Sequence, residues 1–331
     1  MRILSYNILA GGYDLIAKGT RRTQQLIKII SSVQPDIVGL VEATNPRMTE
    51  KPTVLEEIAE TLGMQLINTK SELLAYPEYP NYPIALLTHL PIVYTKIHAH
   101  PSLLARPLLE VCMKDADDQP LTVFLTHLSA AFNDGWAGNH IRQREVQEIL
   151  HIMAPLRAEH TPHLLMGDFN TLSPGDPFKA SFLLRYILEL DAKYAAGQLA
   201  DGHPHFDVVV PSRLRFLKPL LQMVSKSTVL SSIFDAAAHL YAPRGSIHPL
   251  QKLYVDCFRR LHPYEWGFTC PAAAPAGRID YIFACPVLAD RLTSCYVVTE
   301  GEGMPADHAS DHLPVAAEFL HRAPAPPLRT R

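Results

Sequence analysis

Leu164-Leu165-Met166-Gly167-Asp168-Phe169-Asn170 is a short apolar run that ends in a carboxylate and an amide. A run of this length between polar flanks reads as a buried central strand, and the Asp and Asn then sit at its tip. Strand tips hold short side chains on a stiff platform, which is what a site fixed to fractions of an ångström needs. Asp and Asn also make ordinary turns after strands, so the segment gains meaning only in company.

Company is found along the whole chain. Asn7 follows Ile3-Leu4-Ser5-Tyr6, Glu42 follows Ile37-Val38-Gly39-Leu40-Val41, and His127 follows Val123-Phe124-Leu125-Thr126. Asp280 lies within Arg278-Ile279-Asp280-Tyr281-Ile282-Phe283, and Asp311-His312 precedes Leu313-Pro314-Val315. Asp307-His308 repeats the last pair four residues earlier; the later pair is preferred because an apolar strand follows it at once. Alone, Asn7 or Glu42 reads first as an ordinary strand cap, and His127 or His312 reads equally well as a satisfied structural histidine, so the case rests on their combination.

Around these tips the early chain alternates strands and helices. Ile3 to Leu9 and Asp36 to Glu42 read as strands, 20–33 and 52–62 as helices, and 64–69 as a further strand before a tyrosine-rich connection through Tyr82. Apolar runs at 84–89, 92–98, 107–114 and 121–128 are spaced like neighbouring strands joined by hairpins, so mixed sheets are expected. Residues 138–153 form a helix with Ile141, Val146, Ile149 and Ile152 on its buried face. Between 176 and 250 the pattern becomes long and helical (Phe182 to Tyr194, Leu217 to Met223, Ser231 to Leu240), an insertion in one domain spanning 1–331, because strands resume at 279–284, 292–298 and 313–320. Residues 205–260 carry eight Lys or Arg against three Asp, which makes Arg213, Arg215 and Lys218 candidate substrate contacts, with a solvated face as the bland reading. The proline-rich end from His321 to Arg331 reads as irregular.

At 331 residues the chain can bury a large core, and 47% hydrophobic with 19% charged residues is a folded composition. A net charge of -3 argues against a strongly basic nucleic-acid binder. Five cysteines without a Cys-x-x-Cys pair argue against a disulfide framework or thiolate zinc site. The start alternates like a strand rather than a signal peptide, and no apolar run reaches the ~20 residues of a membrane span. Cytoplasm is the expected location, and no protein partner is expected.

A hard divalent cation, Mg²⁺ or Mn²⁺, takes oxygen ligands and keeps several waters. Glu42 can supply a carboxylate directly, with Asn7 and Asp311 beside it. Attack on a phosphoester needs a second set. Asp168 would orient or deprotonate water, Asn170 would hold it or a phosphate oxygen, and His127 and His312 would face the phosphate with Asp280 orienting His312. No Gly-x-Ser-x-Gly elbow accompanies the Asp-His pair.

In that order, Tyr6-Asn7, Val41-Glu42, Thr126-His127-Leu128, Gly167-Asp168-Phe169-Asn170, Arg278-Ile279-Asp280-Tyr281 and Ser310-Asp311-His312 resemble the motifs of the endonuclease/exonuclease/phosphatase superfamily of DNase I-like phosphoesterases. The resemblance covers nearly the entire chain. It implies an α/β (α+β), four-layer β-sandwich of two mixed sheets flanked by helices, with Asn7, Glu42, His127, Asp168, Asn170, Asp280, Asp311 and His312 around metal and scissile phosphate. Tyr82-Pro83-Ile84 departs from it, with Pro where Gly is common, and the insertion is larger than a simple nuclease needs. The expected function is metal-dependent phosphoester hydrolysis by activated water on a phosphorylated small molecule or lipid headgroup. A DNA or RNA nuclease is the alternative, and a noncatalytic binding protein of the same fold lies further off.

Overall fold

Successive side chains of the first strand, β1 (Arg2–Asn7), point to opposite faces, with a consequence for the whole molecule: the adjacent apolar residues Ile3 and Leu4 enter two different cores. In the computed structural model the described residues are 1–13, 20–45, 50–69, 83–130, 135–197, 206, 212–242 and 244–321. The tyrosine-rich connection and the proline-rich end lie outside them, apart from Pro83 and His321.

After β1 come α1 (Thr23–Val33), β2 (Ile37–Val41), α2 (Val54–Leu62), β3 (Gln65–Asn68), β4 (Ala85–Thr88), β5 (Ile92–His98), β6 (Leu108–Lys114), β7 (Pro120–His127), α3 (Gly135–Ile152), α4 (Ala154–Ala158) and β8 (His163–Asp168). The insertion supplies α5 (Ala180–Ala195), a 3-10 turn (Ser212–Leu217), α6 (Lys218–Lys226), α7 (Thr228–Tyr241) and α8 (His248–Gln251). The chain returns through β9 (Val255–Asp256), α9 (Cys257–Leu261), β10 (Asp280–Ala284), α10 (Pro286–Ala289), β11 (Leu292–Val297), β12 (Glu300–Gly301), β13 (Met304–Pro305) and β14 (Val315–Phe319).

Two six-stranded mixed sheets result, in the orders β11-β14-β1-β2-β4-β3 and β5-β6-β7-β8-β10-β9. Within them β1 with β2 and β7 with β8 are parallel, the other pairs antiparallel. Ile3, Ile37 and Leu86 of the first sheet meet Val111, Val123, Leu165 and Phe283 of the second, whereas Leu4, Val38 and Leu40 pack under α1 and α2. Val146 and Ile149 of α3 join the first of these cores, giving the helix-flanked sandwich of a DNase I-like fold. Each fully buried Leu or Ile contributes roughly 1.5–3 kcal/mol. Gly39 permits the sheets to approach, since a Cβ there would stand 2.4 Å from Met166 Cε.

Local chemistry sets the helix ends. Thr53 and Glu56 cap α2 reciprocally, side chain to backbone in both directions (3.2 and 2.7 Å), and Gly63 closes it in the left-handed conformation. The hairpin expectation for 84–128 needs one correction. β5, β6 and β7 are consecutive antiparallel neighbours, but β4 pairs with β2 and β3 in the opposite sheet. The chain crosses between sheets at His89–Pro91, a step that strand periodicity does not encode.

Candidate metal and catalytic site

Register brings the first three residues together. His127 pairs with Asp168 across the parallel strands β7 and β8, and Asp280 pairs with Asp168 across the antiparallel strands β8 and β10. Three adjacent strands of one sheet therefore set His, Asp and Asp side by side at one edge, β7 and β8 by their last residues and β10 by its first. Gly167 makes the close fit of β7 and β8 possible. Its φ is +139°, and an added Cβ would stand 1.9 Å from the Thr126 carbonyl oxygen.

The first sheet contributes from the opposite side. Asn7, at the end of β1, donates from Nδ2 to Asp168 Oδ2 at 3.1 Å and to Glu42 Oε1 at 3.5 Å. Glu42, at the end of β2, also accepts from the Ala10 N–H at 3.1 Å. His312 completes the group, with Nδ1 2.9 Å from Asp280 Oδ2 and Nε2 3.8 Å from Asp168 Oδ2. His127 Nε2 stands 3.7 Å from the same Asp168 oxygen. Asn170 adopts the left-handed conformation (φ +49°) that Asn tolerates; its N–H donates to Asp168 Oδ1 at 2.8 Å and its Nδ2 to the Leu128 carbonyl at 2.9 Å. Asp311 is exposed beside Ser310, whose hydroxyl donates to the Asn7 carbonyl at 2.7 Å and lies 3.4 Å from Asp311 Oδ1.

Burial sets the electrostatics. The Asp168 carboxyl is pushed up to about 7, first by burial and then by the charge of Asp280, against the pull of His312. His127 falls well below the ordinary histidine range through burial, then the charges of Arg106 and His312. His312 rises well above that range: burial opposes the rise and is outweighed by Cys270, Asp280 and Asp168. Burial also raises the Cys270 thiol, against the pull of His312.

Those features fit a cation. Asp168, Asp280 and His312 each offer a ligand atom within 4.8 Å of the others, a cluster able to chelate a divalent metal. A buried carboxyl held near neutrality beside a second one marks unneutralised negative charge that a cation would relieve. Glu42 and Asn7 adjoin the cluster through the Asn7 amide, so an oxygen-rich set borders it directly.

The remaining sequence candidates lie elsewhere. Lys218 sits on the insertion, 3.9 Å from Asp191 and 4.9 Å over the Phe206 ring, and Arg215 is exposed there; the Arg213 side chain lies outside the described residues. All five cysteines are free. Two supporting residues were not anticipated. Thr269 Oγ1 accepts from the Ile279 and Asp280 N–H groups at 3.1 and 3.3 Å, fixing the entry to β10. Arg22, buried at the start of α1, donates to the Ile8, Leu9, Tyr13 and Ala309 carbonyls and so ties the loop after Asn7 to the loop before Asp311. Arg22 follows Arg21 in an ordinary helix start, and nothing local separates a buried guanidinium from an exposed one.

Among the described residues no helix is long and apolar enough to cross a membrane. The profile of the Endonuclease/Exonuclease/phosphatase family matches residues 4–312. No curated protein sequence matches the chain. Solved structures similar in fold include an AP endonuclease from Archaeoglobus fulgidus (16% identity, 96% of this chain and 99% of that one, TM-score 0.53). A 3' phosphatase, NExo, from Neisseria bound to a product DNA hairpin is similar over 97% of this chain and 100% of that one (16% identity, TM-score 0.53). Truncated TDP2 from Caenorhabditis elegans aligns over 97% of each chain (14% identity, TM-score 0.53). At such identities the likeness shows the fold.

Proposed function

We propose, from the premise that this chain belongs to the endonuclease/exonuclease/phosphatase family and is a metal-dependent phosphoesterase, that it hydrolyses a nucleic-acid phosphoester by in-line attack of a water oriented by Asp168. The observation that carries the mechanism is the meeting of Asp168, Asp280, His312 and His127 with Asn7 and Glu42 from the facing sheet.

In this reading Asp168 positions the water and takes its proton, since a carboxyl poised at about 7 is a matched base at neutral pH. Asp280 holds His312 by Nδ1, leaving Nε2 to present a proton to a phosphate oxygen. His127, kept neutral by burial, donates a second hydrogen bond, and the N–H of Asn170 not given to Leu128 supplies a third. Glu42, Asn7 and Asp311 would hold a divalent ion, Mg²⁺ or Mn²⁺, because hard ions favour oxygen donors and His312 Nδ1 is already engaged by Asp280. Bound there, the ion would neutralise charge building at phosphorus and stabilise the leaving oxygen.

The nucleic-acid substrate is supported by the solved neighbours whose names state an activity, an AP endonuclease and a 3' phosphatase bound to DNA. A second reading, a lipid headgroup or other small phosphoester, is supported by the net charge of -3 and by the apolar outer face of the insertion. A metal-supplemented panel decides between them: abasic and nicked duplex DNA, a 3'-phosphate end, a phospholipid diester and a soluble phosphomonoester, with wild type, Glu42→Ala and His312→Ala. Turnover of the DNA substrates that both variants lose supports the first reading, and turnover confined to the lipid or monoester selects the second. Near wild-type turnover by both variants would remove the mechanism.

A further inference from the structure

The pairing of β6 with β7 runs from Lys114 and Pro120 to Leu109 and Leu125 and stops two residues short of His127. On its other side His127 is still paired, with Asp168 of β8. Toward β6, side chains take over. Arg106, two residues before β6, donates from one guanidinium nitrogen to the Leu128 carbonyl at 2.8 Å and to the His127 carbonyl at 3.4 Å.

Behind this contact lies Glu145 of α3, buried to 1% exposure. One of its carboxylate oxygens accepts from the Ala105 N–H and the other from the Ser129 N–H, both at 3.0 Å. A single carboxylate thus joins the residue before Arg106 to the residue after Leu128. Arg142, three residues earlier on α3 and also buried, donates to the Ser129 carbonyl at 3.1 Å, so Ser129 is held at both its backbone groups. Val146 and Ile149 seat the same helix in the core under these loops. Burial raises the Glu145 carboxyl, and the two N–H donors with the charges of Arg106 and Arg142 oppose the rise.

What this clamp holds is the Leu128 carbonyl. It accepts from Arg106 and, at 2.9 Å, from Asn170 Nδ2, while the Leu128 N–H donates to the Asp168 carbonyl at 2.9 Å. Fixing one N–H of a planar amide fixes where the other points. Glutamine cannot replace Glu145 here, because two N–H donors need two acceptor oxygens and an amide has one.

We infer that Glu145 is a positioning residue of the active site: through Ala105, Arg106 and Ser129 it sets the Leu128 carbonyl, and with it the direction of the Asn170 amide and the place of His127. Its effect on turnover rests on the proposed phosphate-facing roles of Asn170 and His127. Its effect on where they stand does not.

NMR of the ¹⁵N-labelled full chain tests the placement without substrate, with the His127 ring and Asn170 side-chain amide signals assigned by their loss in His127→Ala and Asn170→Ala. Glu145→Gln and Arg106→Met are compared with Glu148→Gln, which removes an exposed tie of 2.6 Å from the same helix to His100 on the same loop. Circular dichroism confirms folding, and Arg106→Met carries the test should Glu145→Gln not fold. The first two variants are expected to move both signals and Glu148→Gln neither. On whichever panel substrate is cleaved, kcat of Glu145→Gln should fall roughly tenfold to 10²-fold, the cost of a displacement of up to about 1 Å, with KM little changed. In a background of His127→Ala with Asn170→Ala the further fall should shrink below about threefold, since a residue acting through these two has nothing left to place. If no panel substrate is cleaved, hydrolysis fails as the function and the signals still decide the placement. Signals that stay put in the folded variants, equal movement in Glu148→Gln, or the full kcat loss retained in the double background overturns the inference.

Discussion

Asp280 stands directly opposite Asp168 in the antiparallel pairing of β10 with β8, and both carboxyls are buried. Like charges opposite one another weaken a sheet, so this pairing makes sense as a site that accepts strain for chemistry. Asp168→Asn keeps the shape and removes the base. Its kcat is expected to fall by roughly 10²–10⁴-fold, with KM little changed, in metal-supplemented turnover of whichever panel substrate is cleaved. A variant within threefold of wild type would exclude Asp168 as base.

Removing the partner instead gives a different signature. Asp280 is among the groups that hold the His312 pKa up, so Asp280→Asn is expected to move the alkaline limb of the pH–rate profile to lower pH as the imidazolium is lost sooner. An unshifted limb alongside a lower kcat would mean that Asp280 acts otherwise.

The same pair predicts an inverted pH dependence of stability in chelator-treated protein. The Asp168 carboxyl moves from its ordinary 3.8 to about 7 in the fold, so between these values the folded chain keeps a proton that the unfolded chain has released. Stability from this group is then present at low pH and lost as pH rises toward 7. Asp168→Asn has no such titration. Urea unfolding at pH 5 and pH 7.5 should show its stability relative to wild type increasing between the two, and a constant difference would count against the raised carboxyl.

Much of this was legible in the chain itself, because apolar strands that stop at a polar residue announce their tips. β1, β7 and β8 end at Asn7, His127 and Asp168, and β2 ends one residue before Glu42. Asp280 opens its strand instead, and only antiparallel register returns it to the same edge. What could not be read involves sheet assignment and distant contact. Nothing in the pattern of β4 and β5 says that they belong to different sheets, and nothing near Cys270 predicts that it lies against His312. The insertion was legible as amphipathic helices, but which apolar positions would find a core and which would stay outside depends on α5, which takes Leu221 and Val224 and leaves Leu220 and Met223.

Metal dependence should separate the two donor sets. Chelation is expected to abolish turnover, and Mg²⁺ or Mn²⁺ to restore it. An ion that binds only the folded chain stabilises it by about 2.7 kcal/mol at a hundredfold excess over its Kd, so the thermal midpoint should rise with ion concentration. If Glu42 and Asn7 hold the ion, Glu42→Ala loses this rise and Asp280→Asn keeps it. The reverse pattern would place the ion on the Asp168–Asp280–His312 cluster.

Arg22 offers the test of how the site is held rather than how it reacts. Its guanidinium reaches the Ile8, Leu9 and Tyr13 carbonyls at 3.0, 2.6 and 3.1 Å and the Ala309 carbonyl across the molecule. Leu9 and Ala10 both have φ of +51°, an uncommon conformation that needs outside support. Arg22→Met preserves the stem but leaves these carbonyls without their donor, at about 1–3 kcal/mol for each one that stays buried and unpaired. Urea unfolding should register a loss of roughly 2–4 kcal/mol after partial relaxation. Because the two loops carry Asn7 and Asp311 to the site, kcat should fall as well, by an amount that a displacement of about 1 Å sets at ~10²-fold. Arg22→Lys, which can still reach some of the carbonyls, should recover part of both. A stability loss with kcat intact under conditions where the variant is folded would show that the loops find their places without this tie, and Arg22 would then belong to the core alone.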